Sequence, residues 1–366
     1  MPLPRRRVLL AAAAVVAGLG AAAPGAAGDA GFLRAPTDQL ALPGAAAGAE
    51  VTPESSLYTD ATELGFRVGP RLRAWPVVPR RMLAADRPIL SSRTTAGGLA
   101  YTLTEWATEV AGAPADFATV TVANPGPRSA VGGVAAGVRW VGSAPGRGGH
   151  HYRYARPPGD AFAPGAVYGT AGAFVTRDGR GLYAFPPAPP AGHRTRVPDP
   201  PAPLGPAAET GRVRYRVPVP PGGARMLVFR LPVTPVDPRS PAARALAGTS
   251  ADVAQATALA RWRGVLRGAV RLEVPEGKVR DTFYASLVHM LEGQVTVGPG
   301  EAVQLVNRIN YRNFWLRDAS AMAVAYDLAG LREAAAATLG HFFRYQRGDG
   351  LFISRAEQWD GLGETL

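Results

Sequence analysis

The spacing of apolar residues changes once along this chain, and that change limits the folds that it can adopt. Up to about residue 235, apolar and polar residues alternate, as in "RVRYRVPVP", where Val213, Tyr215 and Val217 point one way and the arginines point the other. From Ser250 onward, apolar residues recur at helical spacing. The sequence therefore predicts a β-rich part followed by a helical part.

The β-rich part is divided into short segments by glycine and proline. Many short alternating segments with such turns are typical of an antiparallel β-sandwich, which we assign to residues 51–240. The stretch 185–209 is too rich in proline for a central strand. It predicts a long surface loop between two strands.

The helical part begins with a predicted linker helix over 241–270, for which Thr249 or Ser250 is available as a cap. Residues 271–366 follow as a second domain. Helices are predicted within it at about 279–291, 319–329 and 332–346, with Gly330 between the last two. This order predicts a multidomain β + α protein.

The first 27 residues have the pattern of an export signal. Three arginines precede an apolar run over 8–23, and small residues at Gly25, Ala26 and Ala27 suit a signal peptidase. The order of Arg5–Leu9 also resembles a twin-arginine signal. We expect an exported protein, extracellular or in the cell envelope, with a disordered linker over 28–50 and no membrane span after signal cleavage.

Composition excludes several classes of site. The chain has no cysteine, which excludes disulfides, thiolate metal sites and a cysteine nucleophile. Its net charge of +12 would fit a nucleic-acid binder, but the arginines are scattered through all parts of the chain. Adjacent His150 and His151 would point to opposite faces of a strand, and the common zinc, P-loop and serine-hydrolase motifs are missing. We expect no nucleic-acid partner, no metal and no cofactor.

The segment "NYRNFWLRDASAM", residues 310–322, places aromatics and an Arg-Asp pair directly before a predicted helix. Neighbouring residues on a helix do not face each other, so a salt bridge between Arg317 and Asp318 is not a sufficient reason for the pair. One interpretation is a surface arginine followed by a helix-capping Asp318. The other is a sugar site, since a guanidinium and a carboxylate together can grip adjacent hydroxyls while an aromatic ring packs on the C–H face.

The segments "VRDTFYASLVHMLEG", "NRINYRNFWLRDASAMAVAYDLAG" and "GLFISRAEQWDGLGETL" resemble the opening of a six-hairpin glycosidase. They are most similar to the bacterial glucoamylase and glucodextranase group. The resemblance implies an N-terminal β-sandwich followed by an (α/α)6 toroid barrel. It also implies that sugar is bound at the cleavage subsite by Trp315, Arg317 and Asp318. The further candidates for substrate binding are Tyr311, Gln358 and Trp359.

An inverting glycosidase needs two carboxyl groups about 6.5–9.5 Å apart, an acid and a base. The candidates for the acid are Asp360, then Glu364, then Glu357. The glucoamylase-like pattern has its catalytic glutamate directly after Gln-x-Asp, whereas this chain has Gly361 there. Either Asp360 or Glu364 serves, or the acid lies elsewhere. Trp359 is equally compatible with a core position and with sugar stacking.

The helical part is short for the barrel that the resemblance implies. Twelve helices with their loops need at least roughly 190–220 residues, but Ser250 to Leu366 is 117 residues. We therefore expect a partial barrel, a general base beyond Leu366 and no glycosidase activity in the 366-residue chain by itself. The function that follows is an exported hydrolase of α-linked glucans or related oligosaccharides, or the N-terminal portion of one. The alternatives are a glycan phosphorylase and a non-catalytic carbohydrate-binding protein.

Overall fold

A computed structural model of the chain describes residues 38–59, 62–140, 168–186, 210–308, 313–355 and 358. All of them belong to one compact unit, Pro36–Leu366. The predicted signal peptide lies outside the described residues, as does most of the predicted loop over 185–209.

Strands occupy most of the described chain up to residue 232. They are β1 Asp38–Leu40, β2 Ala49–Val51, β3 Leu57–Tyr58, β4 Thr62–Val68, β5 Arg73–Ala74, β6 Arg81–Ala84, β7 Arg87–Ala96, β8 Leu99–Val110, β9 Ala113–Ala123, β10 Ala130–Trp140, β11 Tyr168–Ala171, β12 Phe174–Arg177, β13 Arg180–Ala184, β14 Thr210–Val219 and β15 Ala224–Pro232.

These strands form two antiparallel sheets that face each other. The first sheet has the order β1-β2-β3-β4-β10-β14, with β5 beside β4, and the second has the order β11-β12-β13-β15-β9-β8-β7-β6. One apolar core contains side chains from both sheets, such as Leu103 of β8 and Val134 of β10. The antiparallel sandwich architecture expected from the alternating pattern is therefore present.

Strand β14 shows how the alternation of apolar and polar residues predicts which side chains face the core. Val213, Tyr215 and Val217 are buried in the core, whereas Arg214 and Arg216 are exposed. Burying every second side chain removes apolar surface from water on one face only. The orientation of β14 agrees with the prediction.

The prediction of a disordered linker over 28–50 is wrong from Asp38 onward. Strands β1 and β2 pair with each other, and Leu40, Ala49 and Val51 have no exposed surface. Arg80 donates to Asp38 at 2.5 Å and to the carbonyl of Thr52 at 2.7 Å. The alanine- and glycine-rich composition hid two strands that are too short to show alternation.

Helices occupy most of the chain after residue 240. They are α1 Pro241–Gly248, α2 Ala251–Val265, α3 Gly277–Glu292, α4 Leu316–Leu328 and α5 Arg332–Phe342, with 3-10 turns at Leu266–Gly268 and Phe343–Tyr345. Within the described ranges, none of the helices is both long and apolar enough to cross a bilayer.

The region predicted as one linker helix contains two helices. Ser240 caps α1 by accepting from the amide of Ala243, and Ser250 caps α2 by accepting from the amide of Val253. Apolar residues of both helices pack with Trp106 and Phe117 against the second sheet. The helical part is therefore attached to the sandwich through a shared core.

Helices α4 and α5 form the predicted αα-hairpin. Gly330 between them has φ 82°, and a Cβ there would lie 2.7 Å from the carbonyl oxygen of Gly268. Between α3 and α4 the chain forms an unpredicted β-hairpin, β16 Gln294–Gly298 with β17 Glu301–Gln304. The closed (α/α)6 barrel stays a prediction from the resemblance.

Arg308 joins the N-terminal strands to the helical part. Its buried guanidinium donates to the carbonyl oxygens of Leu42 at 3.3 Å, Gln294 at 2.7 Å, Ala45 and Glu292. A nearby backbone bond, from the amide of Gly44 to Gln294, connects the same two segments at 3.0 Å. One cation therefore satisfies several backbone acceptors where segments distant in sequence meet.

Candidate functional site

The Trp-Leu-Arg-Asp element lies at the amino end of α4. Trp315 is the last extended residue, with φ −128° and ψ 118°, and the helix begins at Leu316. Just before it, Phe314 pairs with Leu305 in an antiparallel bridge. The element is therefore held between a strand contact and the first turn of a helix.

Asp318 does not cap α4. The N-cap residue is Trp315, and Asp318 lies in the first helical turn, where the helix dipole stabilises its charge. Its side chain is 31% exposed and that of Arg317 is 54% exposed. Arg317 Nε and Asp318 Oδ2 are 3.9 Å apart, which is longer than a hydrogen bond. The capping interpretation is therefore wrong, and both charged groups reach solvent at the same end of the helix.

The segment after α5 returns to this end of α4 and brings Gln358 with it. The amide of Leu316 donates to Ser354 Oγ at 3.4 Å, and Ser354 Oγ donates to Gln358 Oε1 at 3.1 Å. Among the predicted site residues, the structure thus brings Gln358 next to the element that starts at Trp315. Nothing in the local sequence pattern pointed to Ser354, because its role depends on the return of the chain.

The indole of Trp315 is largely covered. Its exposed fraction is 7%, and the Arg355 guanidinium lies 4.4 Å from the ring centre. This is a cation–π contact, worth about 0.5–2 kcal/mol. A sugar ring could stack on this face of Trp315 only after displacing Arg355.

The remaining predicted site residues lie outside the part of the chain that the structure describes. They are Tyr311, Trp359 and the carboxylate candidates Asp360, Glu364 and Glu357. The assignment of the acid therefore stays a prediction. Within the described ranges, no group of three or more acidic or histidine side chains could hold a metal ion.

An aromatic cluster around Phe314 lies directly beside the Trp-Leu-Arg-Asp element. Phe314 stacks on Tyr345 with ring centres 4.7 Å apart, and His341 meets Phe314 edge-on at 4.9 Å. His341 Nδ1 lies 2.7 Å from Glu301 Oε1, and Arg344 Nη2 donates to Glu301 Oε2 at 2.8 Å. The hydrogen bonds from Arg344 and His341 lower the pKa of Glu301 to about 2. Strand β17 is thereby tied to α5 beside the candidate site.

We expect Glu301→Gln to lower the thermal midpoint at pH 7 and to lower it much less near pH 2. A carboxylate whose folded pKa is depressed stabilises the protein above its unfolded pKa of about 4.3 and loses that effect as the pH falls through its folded pKa. The measurement is the melting midpoint of both proteins from pH 7 down to pH 2.

Glu273→Gln is the matched control, because Glu273 pairs with Arg271 but its side chain is 75% exposed. This variant should melt within about 1 °C of the parent at each pH. An equal shift in both variants would mean that the tie between Glu301 and α5 is ordinary surface charge.

A cavity of about 500 Å³ lies elsewhere, at the start of α3. It is near the carboxyl end of α4, since the amide of Val270 donates to the carbonyl of Ala329 at 2.7 Å. A helix of this length spans about 20 Å, so the cavity is distant from Trp315. Its lining residues are Arg271, Leu272, Glu273, Val274, Pro275, Arg280 and Tyr284.

Taken together, the amino end of α4 presents a guanidinium, a carboxylate and a nearby amide. Arg317 supplies paired donors, Asp318 supplies paired acceptors, and Gln358 lies next to them through Ser354. Such a set can bind adjacent hydroxyl groups of a sugar.

The chain is similar in fold to two solved structures of carbohydrate-related proteins. A bacterial glucoamylase in complex with acarbose matches 88% of this chain with a TM-score of 0.50 and 11% identity. A protein described as a kojibiose phosphorylase from the human microbiome matches 84% of the chain with a TM-score of 0.50 and 7% identity. No protein-family model and no curated protein matches the sequence.

The chain spans about half of each of these two proteins, 53% and 46% of their lengths. At such low identity the similarity concerns the fold alone. The fold implied by the resemblance to six-hairpin glycosidases is confirmed to that extent: this chain has the fold of about half of a bacterial glucoamylase.

Proposed function

We propose that this protein is an exported glycoside hydrolase, or the N-terminal portion of one, that acts on α-linked glucans or related oligosaccharides by inversion. The observation that carries the proposal is the placement of Trp315, Arg317, Asp318 and Gln358 at one helix end, in a chain with the fold of about half of a glucoamylase. In this proposal Arg317 and Asp318 grip sugar hydroxyls, and Asp360 or Glu364 supplies the acid.

A phosphorylase is the second candidate. Its support is the likeness to the protein described as a kojibiose phosphorylase, whose TM-score of 0.50 equals that of the glucoamylase. The two reactions differ in the group that attacks the sugar, water in one and phosphate in the other. Release of glucose 1-phosphate from kojibiose with inorganic phosphate would favour the phosphorylase.

The first test is binding, because it does not depend on a complete set of catalytic residues. We expect the 366-residue chain to bind maltopentaose or acarbose in calorimetry, and Asp318→Asn to weaken that binding about tenfold. The substitution keeps the shape of the side chain but removes the charge and one pair of acceptor sites. The melting midpoint should stay within about 2 °C of the parent value, since Asp318 is only partly buried.

Asp252→Asn is the matched control, because Asp252 lies in the first turn of α2 as Asp318 lies in the first turn of α4. This control should bind sugar as the parent does. Equal loss in both variants, or no sugar binding by the parent chain, would remove the sugar site from the amino end of α4. Binding without any hydrolysis or phosphorolysis by a longer protein that contains this chain would favour the non-catalytic alternative.

A further inference from the structure

The contact between Arg355 and Trp315 places a charged side chain where the proposed sugar would stack. The guanidinium carbon of Arg355 lies 4.4 Å from the centre of the indole ring, and Trp315 is 7% exposed. A planar guanidinium packs flat on the π face of an aromatic ring, which is also the face that the C–H groups of a pyranose need. Arg355 therefore occupies a position that the proposed ligand requires.

The backbone around Arg355 is held in place by hydrogen bonds. The amide of Gln358 donates to the carbonyl of Arg355 at 3.2 Å. On the other side of Arg355, Ser354 Oγ accepts from the amide of Leu316 at 3.4 Å. The backbone end of the arginine side chain is thus fixed next to α4. Rotation about its side-chain bonds is enough to move the guanidinium away from the ring, and the backbone can stay where it is.

The guanidinium of Arg355 is held less firmly than that of Arg344. Arg344 Nη2 donates to Glu301 Oε2 at 2.8 Å, whereas no carboxylate within the described ranges forms an ion pair with Arg355. Arg355 is half-buried, and a cation–π contact changes an equilibrium by about twofold to thirtyfold. A contact of this strength can be replaced by a bound sugar.

We propose that Arg355 is a reversible cover on Trp315, which a sugar displaces when it binds at the amino end of α4. The inference rests on the proposed function, because the ligand is the same α-linked oligosaccharide. A ligand that must first displace a side chain loses the free energy of the contact that this side chain made, so its apparent affinity is reduced. Removal of Arg355 should therefore strengthen sugar binding.

The first measurement is the affinity for maltopentaose, in calorimetry at pH 7. We expect Arg355→Ala to bind this sugar at least about threefold more tightly than the parent chain. Arg347→Ala is the matched control, because Arg347 lies in the same segment after α5 and pairs with Asp349 at 3.3 Å. It should stay within about twofold of the parent. Arg355→Lys keeps a cation, so its affinity should lie between those of the parent and Arg355→Ala.

The second measurement reports on the ring itself and needs no sugar. The chain is labelled with 5-fluorotryptophan, and the fluorine resonance of Trp315 is assigned from its loss in Trp315→Phe. This resonance should move in Arg355→Ala, because the guanidinium is gone from the ring, and should stay in place in Arg347→Ala. In the parent it should also move when maltopentaose is added. The melting midpoint of Arg355→Ala should stay within about 2 °C of the parent value, since Arg355 is only half-buried.

Three results would overturn this inference. They are an unchanged Trp315 resonance in Arg355→Ala, equal affinities of Arg355→Ala and the parent for maltopentaose, and weaker binding by Arg355→Ala, which would make Arg355 a direct ligand of the sugar. In each case the proposed function stands as long as Asp318→Asn binds more weakly than the parent. Lack of maltopentaose binding by both the parent and Arg355→Ala would instead overturn the proposed function, and this inference with it.

Discussion

Replacing Arg308 with alanine is expected to lower the free energy of unfolding by about 3–5 kcal/mol, because it leaves several buried carbonyl oxygens without a hydrogen-bond donor. The guanidinium donates to carbonyl oxygens of Leu42, Ala45, Glu292 and Gln294, and only 4% of the residue is exposed. Alanine offers no donor to any of them and leaves a cavity as well. Urea denaturation at pH 7 measures the change.

Two further variants serve as comparisons for Arg308→Ala. Arg308→Lys keeps the charge but has a single ammonium group in place of the planar guanidinium. It should therefore recover less than half of the stability that Arg308→Ala loses. Arg263→Ala removes an exposed arginine and should change stability by less than about 0.5 kcal/mol.

Should Arg308→Ala fail to fold, hydrogen exchange of the parent answers the same question. The amides of Gly44 and Thr296, which link the two segments, should then exchange as slowly as core amides. A loss of less than about 1 kcal/mol, or fast exchange at both amides, would contradict the role given to Arg308.

The parts of the fold that could be predicted are those with a local signal. The alternation in β14 placed its valines in the core, and the helical spacing after Ser250 matched α2, with Ser250 as its cap. The bounds predicted for the third helix, 319–329, miss its first turn, since α4 begins at Leu316. At its start lie the bridge of Phe314 and the bond from the amide of Leu316 to Ser354, whereas the side chain of the N-cap residue, Trp315, makes no capping bond.

The parts that could not be predicted depend on contacts between distant segments. Strands β1 and β2 contain three residues each, too few for periodicity to be visible, and they are held by Arg80 and Arg308. The hairpin of β16 and β17 lies between two helices, where the helical pattern on both sides dominated the interpretation. In both cases tertiary hydrogen bonds decide the local structure.

The candidate site also contains residues that a local sequence pattern suggested and residues that only contacts between distant segments reveal. The motif at 310–322 made Trp315, Arg317 and Asp318 candidates, and the resemblance to six-hairpin glycosidases favoured a sugar site for them, which stays a prediction. The neighbours Ser354 and Arg355 could not be assigned, since they reach the helix end only when the chain returns after α5. The sequence suggested that a sugar could stack on Trp315. In the structure Arg355 covers that ring, so stacking there would require Arg355 to move.

The sandwich core contains a buried carboxyl group with no hydrogen-bond partner. Asp116 of β9 has no exposed surface, and neither of its side-chain oxygens accepts a hydrogen bond from any residue that the structure describes. Burial raises the pKa of Asp116 well above its usual range, and the charge of Glu292 raises it further. The proton is therefore retained by the folded protein at pH values where the unfolded chain has released it.

This difference makes Asp116 a source of instability as the pH rises. Between the unfolded pKa of about 3.9 and the higher folded pKa, the folded state binds more protons than the unfolded state, so stability falls with increasing pH. An asparagine side chain at this position would not titrate, and we expect Asp116→Asn to be more stable than the parent by about 1–3 kcal/mol at pH 7. The gain should be much smaller at pH 4, where the carboxyl group is protonated in the folded state of the parent and about half protonated in its unfolded state. Urea denaturation of both proteins at pH 4, 5.5 and 7 gives the comparison, and the exposed Asp349→Asn serves as a control that should show no such trend. A loss of stability in Asp116→Asn that is the same at all three pH values would mean that the carboxylate is paired in solution.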